Sequence, residues 1–171
     1  MQGEPKKMSR RDLLMGAVRR IRGDQWNEAP SGVEPLAVEA DRLLREGEIE
    51  AAVAKYREVL DGEPLHFEAR RKTGYCRYML GEMEAAREAF EEVMHHRPRD
   101  PFCLLYLGLS HAKEGNLEWA MSAWRGYFNL EQHLVQRAVN VHMALYEDGE
   151  ELDALTVAGA IETAIEEQGR G

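Results

Sequence analysis

Two cysteines, six prolines and no long apolar run narrow what this 171-residue chain can be. Cys76 and Cys103 are too few for a disulfide framework. No stretch approaches the ~18 uninterrupted apolar residues of a membrane-spanning helix, and no secretory apolar core precedes a cleavage site, so a reducing cytoplasm is the expected compartment. The chain also lacks a phosphate-binding glycine loop, a nucleophile elbow and an HExxH run. His95 and His96 are adjacent, so on a helix their side chains diverge by roughly 100° and share a metal poorly. No catalytic constellation, metal site or cofactor is expected, and the protein reads as a non-enzyme.

Charge is unevenly spread. Residues 1–23 hold seven Lys or Arg against Glu4 and Asp12, a net +5, while the remainder carries 15 basic and 29 acidic side chains, a net −14. An acidic body disfavours nucleic acid, because phosphate neutralisation supplies most non-specific affinity.

What is present is a beat. Gly47, Gly81, Gly115 and Gly149 stand 34 residues apart, and an alanine follows each by five: Ala52, Ala86, Ala120, Ala154. Tyr56, Phe90 and Trp124 form an aromatic column; Pro64 and Pro98 form another that fails at Gln132. A period in the thirties marks a stacked-repeat solenoid. Each unit reads as two amphipathic helices, the glycine supplying the left-handed turn between them. The alanine permits close helix approach, and the aromatic is expected to fill the space between repeats. First helices are predicted near 34–46, 67–80, 101–114 and 133–147, second helices near 48–61, 82–96, 116–130 and 150–167. His111 falls on a packing column and is expected to be a satisfied core histidine.

The segments "GEIEAAVAKYREVLDGEP" (47–64), "GEMEAAREAFEEVMHHRP" (81–98) and "GNLEWAMSAWRGYFNLEQ" (115–132) resemble the tetratricopeptide repeat family. The resemblance implies an all-α, right-handed helical solenoid over 33–168 (33–66, 67–100, 101–134, 135–168), of three clear repeats and a degenerate capping repeat. Arg70 and Arg77 depart from the family's apolar packing residues. In the last helix Glu162, Glu166 and Glu167 are expected to face outward as a polar cap.

The family lines a concave groove with first-helix positions. Carried onto this sequence, they give Arg71, Tyr75, Tyr78, Phe102, Leu105, Leu109, Met143 and Tyr146 as the partner-binding groove, with Glu34, Ala37, Asp41, Leu44 and Arg45 toward its charged end. Such a surface implies a protein–protein interaction module, an adaptor, scaffold or assembly factor, taking an apolar or amphipathic protein segment. The alternative for the groove is that the chain's own terminus fills it. Where the family's chaperone-tail clamp needs basic and amide residues, Ala37, Asp41, Lys72, Phe102 and Tyr106 stand, so that role is not expected.

Residues 1–32 form a separate region. Ser9 and Asp12 open a predicted helix through about Arg22, with Leu14, Ala17, Val18 and Ile21 on one face and Arg10, Arg11, Arg19, Arg20 and Arg22 around it. This arm packs on its own solenoid, docks on a partner or an anionic membrane surface, or stays disordered, and the sequence leaves these open. "SRRDLL" (9–14) looks like a twin-arginine export motif, but the apolar stretch 13–18 is short and runs into arginines. A maturation factor acting at a membrane or complex through the arm is therefore the second functional reading.

Overall fold

A computed structural model of the chain describes residues 32–170, which form eight helices and no strand. They are α1 (Glu34–Glu46), α2 (Ile49–Gly62), α3 (Phe67–Met79), α4 (Met83–His96), α5 (Pro101–Lys113), α6 (Leu117–Trp124), α7 (His133–Glu147) and α8 (Ala154–Arg170). The predicted arm, 9–22, and the linker after it lie outside the described residues.

The four periodic glycines build four copies of one turn. Each has φ between 79° and 83°, a region closed to side chains bearing a Cβ without strain. Around them Glu48 donates to the Leu43 carbonyl, Glu82 to Arg77, Asn116 to His111 and Glu150 to Leu145, all at 2.9–3.1 Å. These are Schellman closures, which satisfy carbonyls left over at a helix end. Helix starts use other chemistry. Pro101 opens α5 beneath an Asp100 carboxylate that accepts the Cys103 N–H at 3.0 Å, and Asp153 does the same for Thr156 at 2.8 Å before α8.

Within the first three helix pairs the columns pack as pairs. A Cβ on Gly74 would lie 2.5 Å from the Phe90 ring, and one on Gly108 would lie 2.2 Å from Trp124 Nε1. The aromatic column therefore fills the seam inside each repeat, against its own first helix. Its rings reach the next repeat only secondarily, Phe90 standing 6.3 Å from Phe102 and 6.2 Å from Tyr106. Trp124 also donates Nε1–H to the Leu105 carbonyl at 3.1 Å, so its burial leaves no polar group unpaired. Arg70 and Arg77, the departures from the family pattern, turn to carboxylates on or beside α4: Arg70 pairs with Glu92 and Arg77 with Glu82.

The third second-helix is shorter than its 116–130 expectation. It stops at Trp124, and the next amides make tighter bonds, Gly126 to the Ala123 carbonyl and Tyr127 to that of Trp124. Gly126 is a poor helix residue, and Tyr127, buried, turns the chain inward with its hydroxyl on Gln132. Gln136 then accepts the Asn129 N–H at 2.6 Å.

After this turn the stacking rule changes. α3 packs on α2 and α5 on α4, whereas α7 barely touches α6; α8 instead packs on α5. α7 is rotated. Val135 and Val139 are buried in the main core with Met143 and Tyr146 packed against it, while Arg137, Val141 and Ala144 are exposed. Their counterparts one repeat earlier, Cys103, Leu107 and Ser110, are buried.

Candidate concave binding surface

The rotation decides which part of the concave face is free. Val157, Ala158, Ile161 and Ala164 of α8 join Leu105, Tyr106 and Leu109 of α5 and Tyr78 of α3 in one buried cluster. Leu109 is 0% exposed, Leu105 2% and Tyr78 7%. Glu162, expected on an outer polar face, points inward: Tyr78 Oη donates to it at 2.5 Å and Lys113 Nζ at 2.7 Å. Burial first, then this carboxylate, push the Tyr78 hydroxyl well above its ordinary pKa, so it remains a donor. Half of the expected groove is thus filled by the chain's own last helix.

Among the described residues the other half stays open. Tyr75, half-buried, meets Tyr106 edge-on at 5.1 Å and Phe102 at 5.9 Å. The Arg71 guanidinium lies 5.1 Å over the Phe102 ring while pairing with Glu68 and, at 3.4 Å, with the buried Asp100 carboxylate. Toward α1, a cleft is lined by Val38, Asp41, Leu44, Arg45 and Lys72. Asp41 ties its walls together, accepting from Lys72 Nζ at 2.8 Å and from Tyr56 Oη at 2.5 Å. Partial burial opposes ionisation, but those two donors prevail and hold the Asp41 carboxyl below its usual pKa. Val38 is 64% exposed at the mouth of this cleft.

Of the eight groove residues expected from sequence, Arg71, Tyr75 and Phe102 therefore border the open half. Tyr78, Leu105 and Leu109 lie beneath α8, and Met143 and Tyr146 pack against the core from α7. The expected arm residues Arg10, Arg11, Leu14, Val18, Arg19 and Ile21 lie outside the described residues. Glu162 and Val38 were not singled out as site residues, though Gln132 in the proline column and the small-residue stripe Ala154, Ala158, Ala164 both signal altered packing.

His111 differs from the satisfied core histidine expected. It is half-buried, its ring stacks 6.0 Å from Trp119, and Nδ1 is buried without a hydrogen-bond partner. Cys76 and Cys103 are both buried, and burial raises the Cys76 thiol to about 11.

The repeat assignment rests on sequence as well as shape. The family model for the tetratricopeptide repeat matches residues 38–102. Over that stretch the chain is similar to the tetratricopeptide repeat family. Among solved structures, that of MamA aligns with a TM-score of 0.61 at 16% identity, covering 96% of this chain and 99% of that one. MamA 41-end from Desulfovibrio magneticus gives 0.56 at 23%, covering 91% of each. A tetratricopeptide repeat protein from Parabacteroides merdae gives 0.55 at 17%, covering 91% of this chain and 55% of that one. At such identities the likeness extends to the fold alone. Among curated protein sequences, none matches the chain. A tetratricopeptide repeat stack supports a role as a protein–protein interaction module. No helix among the described residues is long and apolar enough to cross a membrane.

Proposed function

We propose that the protein is an adaptor whose ligand is a short amphipathic segment of another protein, bound in the open half of the concave face. The seat runs from Val38 and Leu44 on α1, past Arg71 and Tyr75 on α3, to Phe102 on α5. Apolar anchors of the ligand pack on Val38, Leu44 and the edges of Tyr75 and Phe102, while Arg45 and Arg71 at the rim select acidic side chains. One observation carries this reading: Tyr75 and Phe102 continue the buried aromatic cluster outward to where α8 no longer covers it, and remain half-exposed. Rigid, partly exposed aromatics make anchoring contacts at low entropic cost.

Selection of displayed amphipathic peptides against the full chain tests it. Selected peptides should share an apolar pair and a carboxylate, and Tyr75→Ala should weaken them at least ~10-fold, the loss of a hot-spot contact. Equal binding by wild type and Tyr75→Ala with the helical circular dichroism intact would sink the assignment.

A further inference from the structure

Turning α7 away from the stack leaves one of its faces without a partner among the described residues. Val141 and Leu145 stand four residues apart, so they share a stripe. Val141 is 47% and Leu145 38% exposed, and Ala144 beside them is exposed too. In the repeats before, the corresponding face is sealed by the preceding second helix; here α6 stops too early to cover it. The stripe runs directly into the α7–α8 loop, where Glu147, Asp148, Glu150, Glu151 and Asp153 are all exposed. None of these five takes part in an ion pair among the described residues.

An apolar stripe of about one turn ending in five carboxylates suits an amphipathic helix rich in arginine at one end. Residues 9–22 of this chain have that pattern. Leu14, Ala17, Val18 and Ile21 recur at three- and four-residue spacing, the pattern of one apolar helix face. Arg19, Arg20 and Arg22 crowd its C-terminal end, and Asp12 lies at the other. Laid parallel to α7, the arm sets those arginines against the acidic loop and Asp12 toward the exposed Arg137.

The opposite end of the stack offers no such seat. There α1 presents Glu39 and Arg42, engaged by Lys55 at 3.9 Å and Glu46 at 2.7 Å. Between α1 and α7 the helix contacts run through α2, α3, α5 and α8, and an arm supplied by another molecule need not span them.

We infer that the α7 face and the acidic loop behind it receive the basic N-terminal arm of a second copy, so that copies join head to tail. Such an interface is heterologous: each open assembly keeps one unused arm and one unused seat, and association continues until a ring closes or the chain of copies ends. A helix of ~14 residues buries less than a standard interface, so the contact is weak and concentration-dependent. It is sensitive to salt because charge supplies part of it.

Two half-defective variants of the full chain test this by sedimentation velocity and light scattering. One carries Arg19→Glu, Arg20→Glu and Arg22→Glu; the other carries Val141→Glu and Leu145→Glu, positions exposed enough to leave the fold intact, which circular dichroism verifies. Wild type should grow in mass with concentration and shrink in high salt. Each variant alone should stay at monomer mass. Mixed, they should give a one-to-one dimer that grows no further, because one contributes the intact seat and the other the intact arm. A wild type that remains monomeric up to several hundred micromolar (~10-fold above a weak-interface Kd) overturns the inference. So does a mixture that stays monomeric, or variants that associate as wild type does.

Discussion

The two halves of the concave face are built from equivalent helix positions and behave differently. Around α5, Leu105, Leu109 and Tyr78 are sealed under α8, with Glu162 closing the seam. Around α1 and α3, the positions equivalent to Leu105 and Leu109 hold Arg71, Tyr75 and Asp41, and these three stay short of full burial; Arg71 pairs with Glu68 and Asp100, Asp41 with Lys72, and Tyr75 meets Tyr106. The apolar half is a core surface, and the charged half stays accessible among the described residues. Apolar character at a groove position is thus as consistent with an internal lid as with an external ligand, since either removes that surface from water.

The sharpest way to break the comparison is Leu109→Glu. On an open groove it would alter binding alone; beneath α8 it buries a carboxylate and should cost at least ~3 kcal/mol. Tyr75→Ala, on the open half, should cost only ~1 kcal/mol in the same urea titration, because a half-exposed ring forfeits less burial. Equal losses for the two would erase the distinction between halves. Gly108→Ala probes the pair seam below the closed half, where the new Cβ would lie 2.2 Å from Trp124 Nε1. A loss of ~2–3 kcal/mol is expected, and a neutral result would mean that Trp124 has another rotamer available.

Glu162→Ala addresses the lid itself. It strands the Tyr78 hydroxyl and frees Lys113, at a cost of ~1–2 kcal/mol once solvent screening of the partly exposed ion pair is allowed for. Hydrogen exchange should quicken first in α8, as the local opening of a less firmly held helix would require. The smallest effect concerns His111. Burial, then the nearby Arg87 charge, hold its pKa below 6.5, against the opposing pull of Glu91 and Glu114. The unfolded chain therefore takes up the proton first, and this contribution to stability is full above ~6.5 and declines as pH falls through the folded-state value. His111→Gln should flatten the urea midpoint between about pH 7.5 and pH 5; an unchanged slope would exclude the histidine as its source.

Much of the fold was legible because its signals are local. Glycine alone enters the left-handed turn cheaply, so Gly47, Gly81, Gly115 and Gly149 mark their turns wherever the helices then go. The site was legible only in part. Groove positions inherit their direction from regular stacking, and the short α6, cut off at Gly126, ends that regularity before α7. Arg71, Tyr75 and Phe102 precede the break and border the open surface; Met143 and Tyr146 follow it and face the core.

By itself, then, the sequence determined the period, the four turns, the helix pairs and the resemblance to tetratricopeptide repeats, all consequences of backbone conformation and residue spacing within a few turns of chain. The tertiary structure decided that the fourth pair folds onto the concave face, that Glu162 points inward, and that α7 carries an open apolar stripe beside the acidic loop. Those outcomes depend on which apolar faces meet across distant segments. The fourth turn has the same hydrogen bonds as the other three, yet the helices on either side of it pack in another direction.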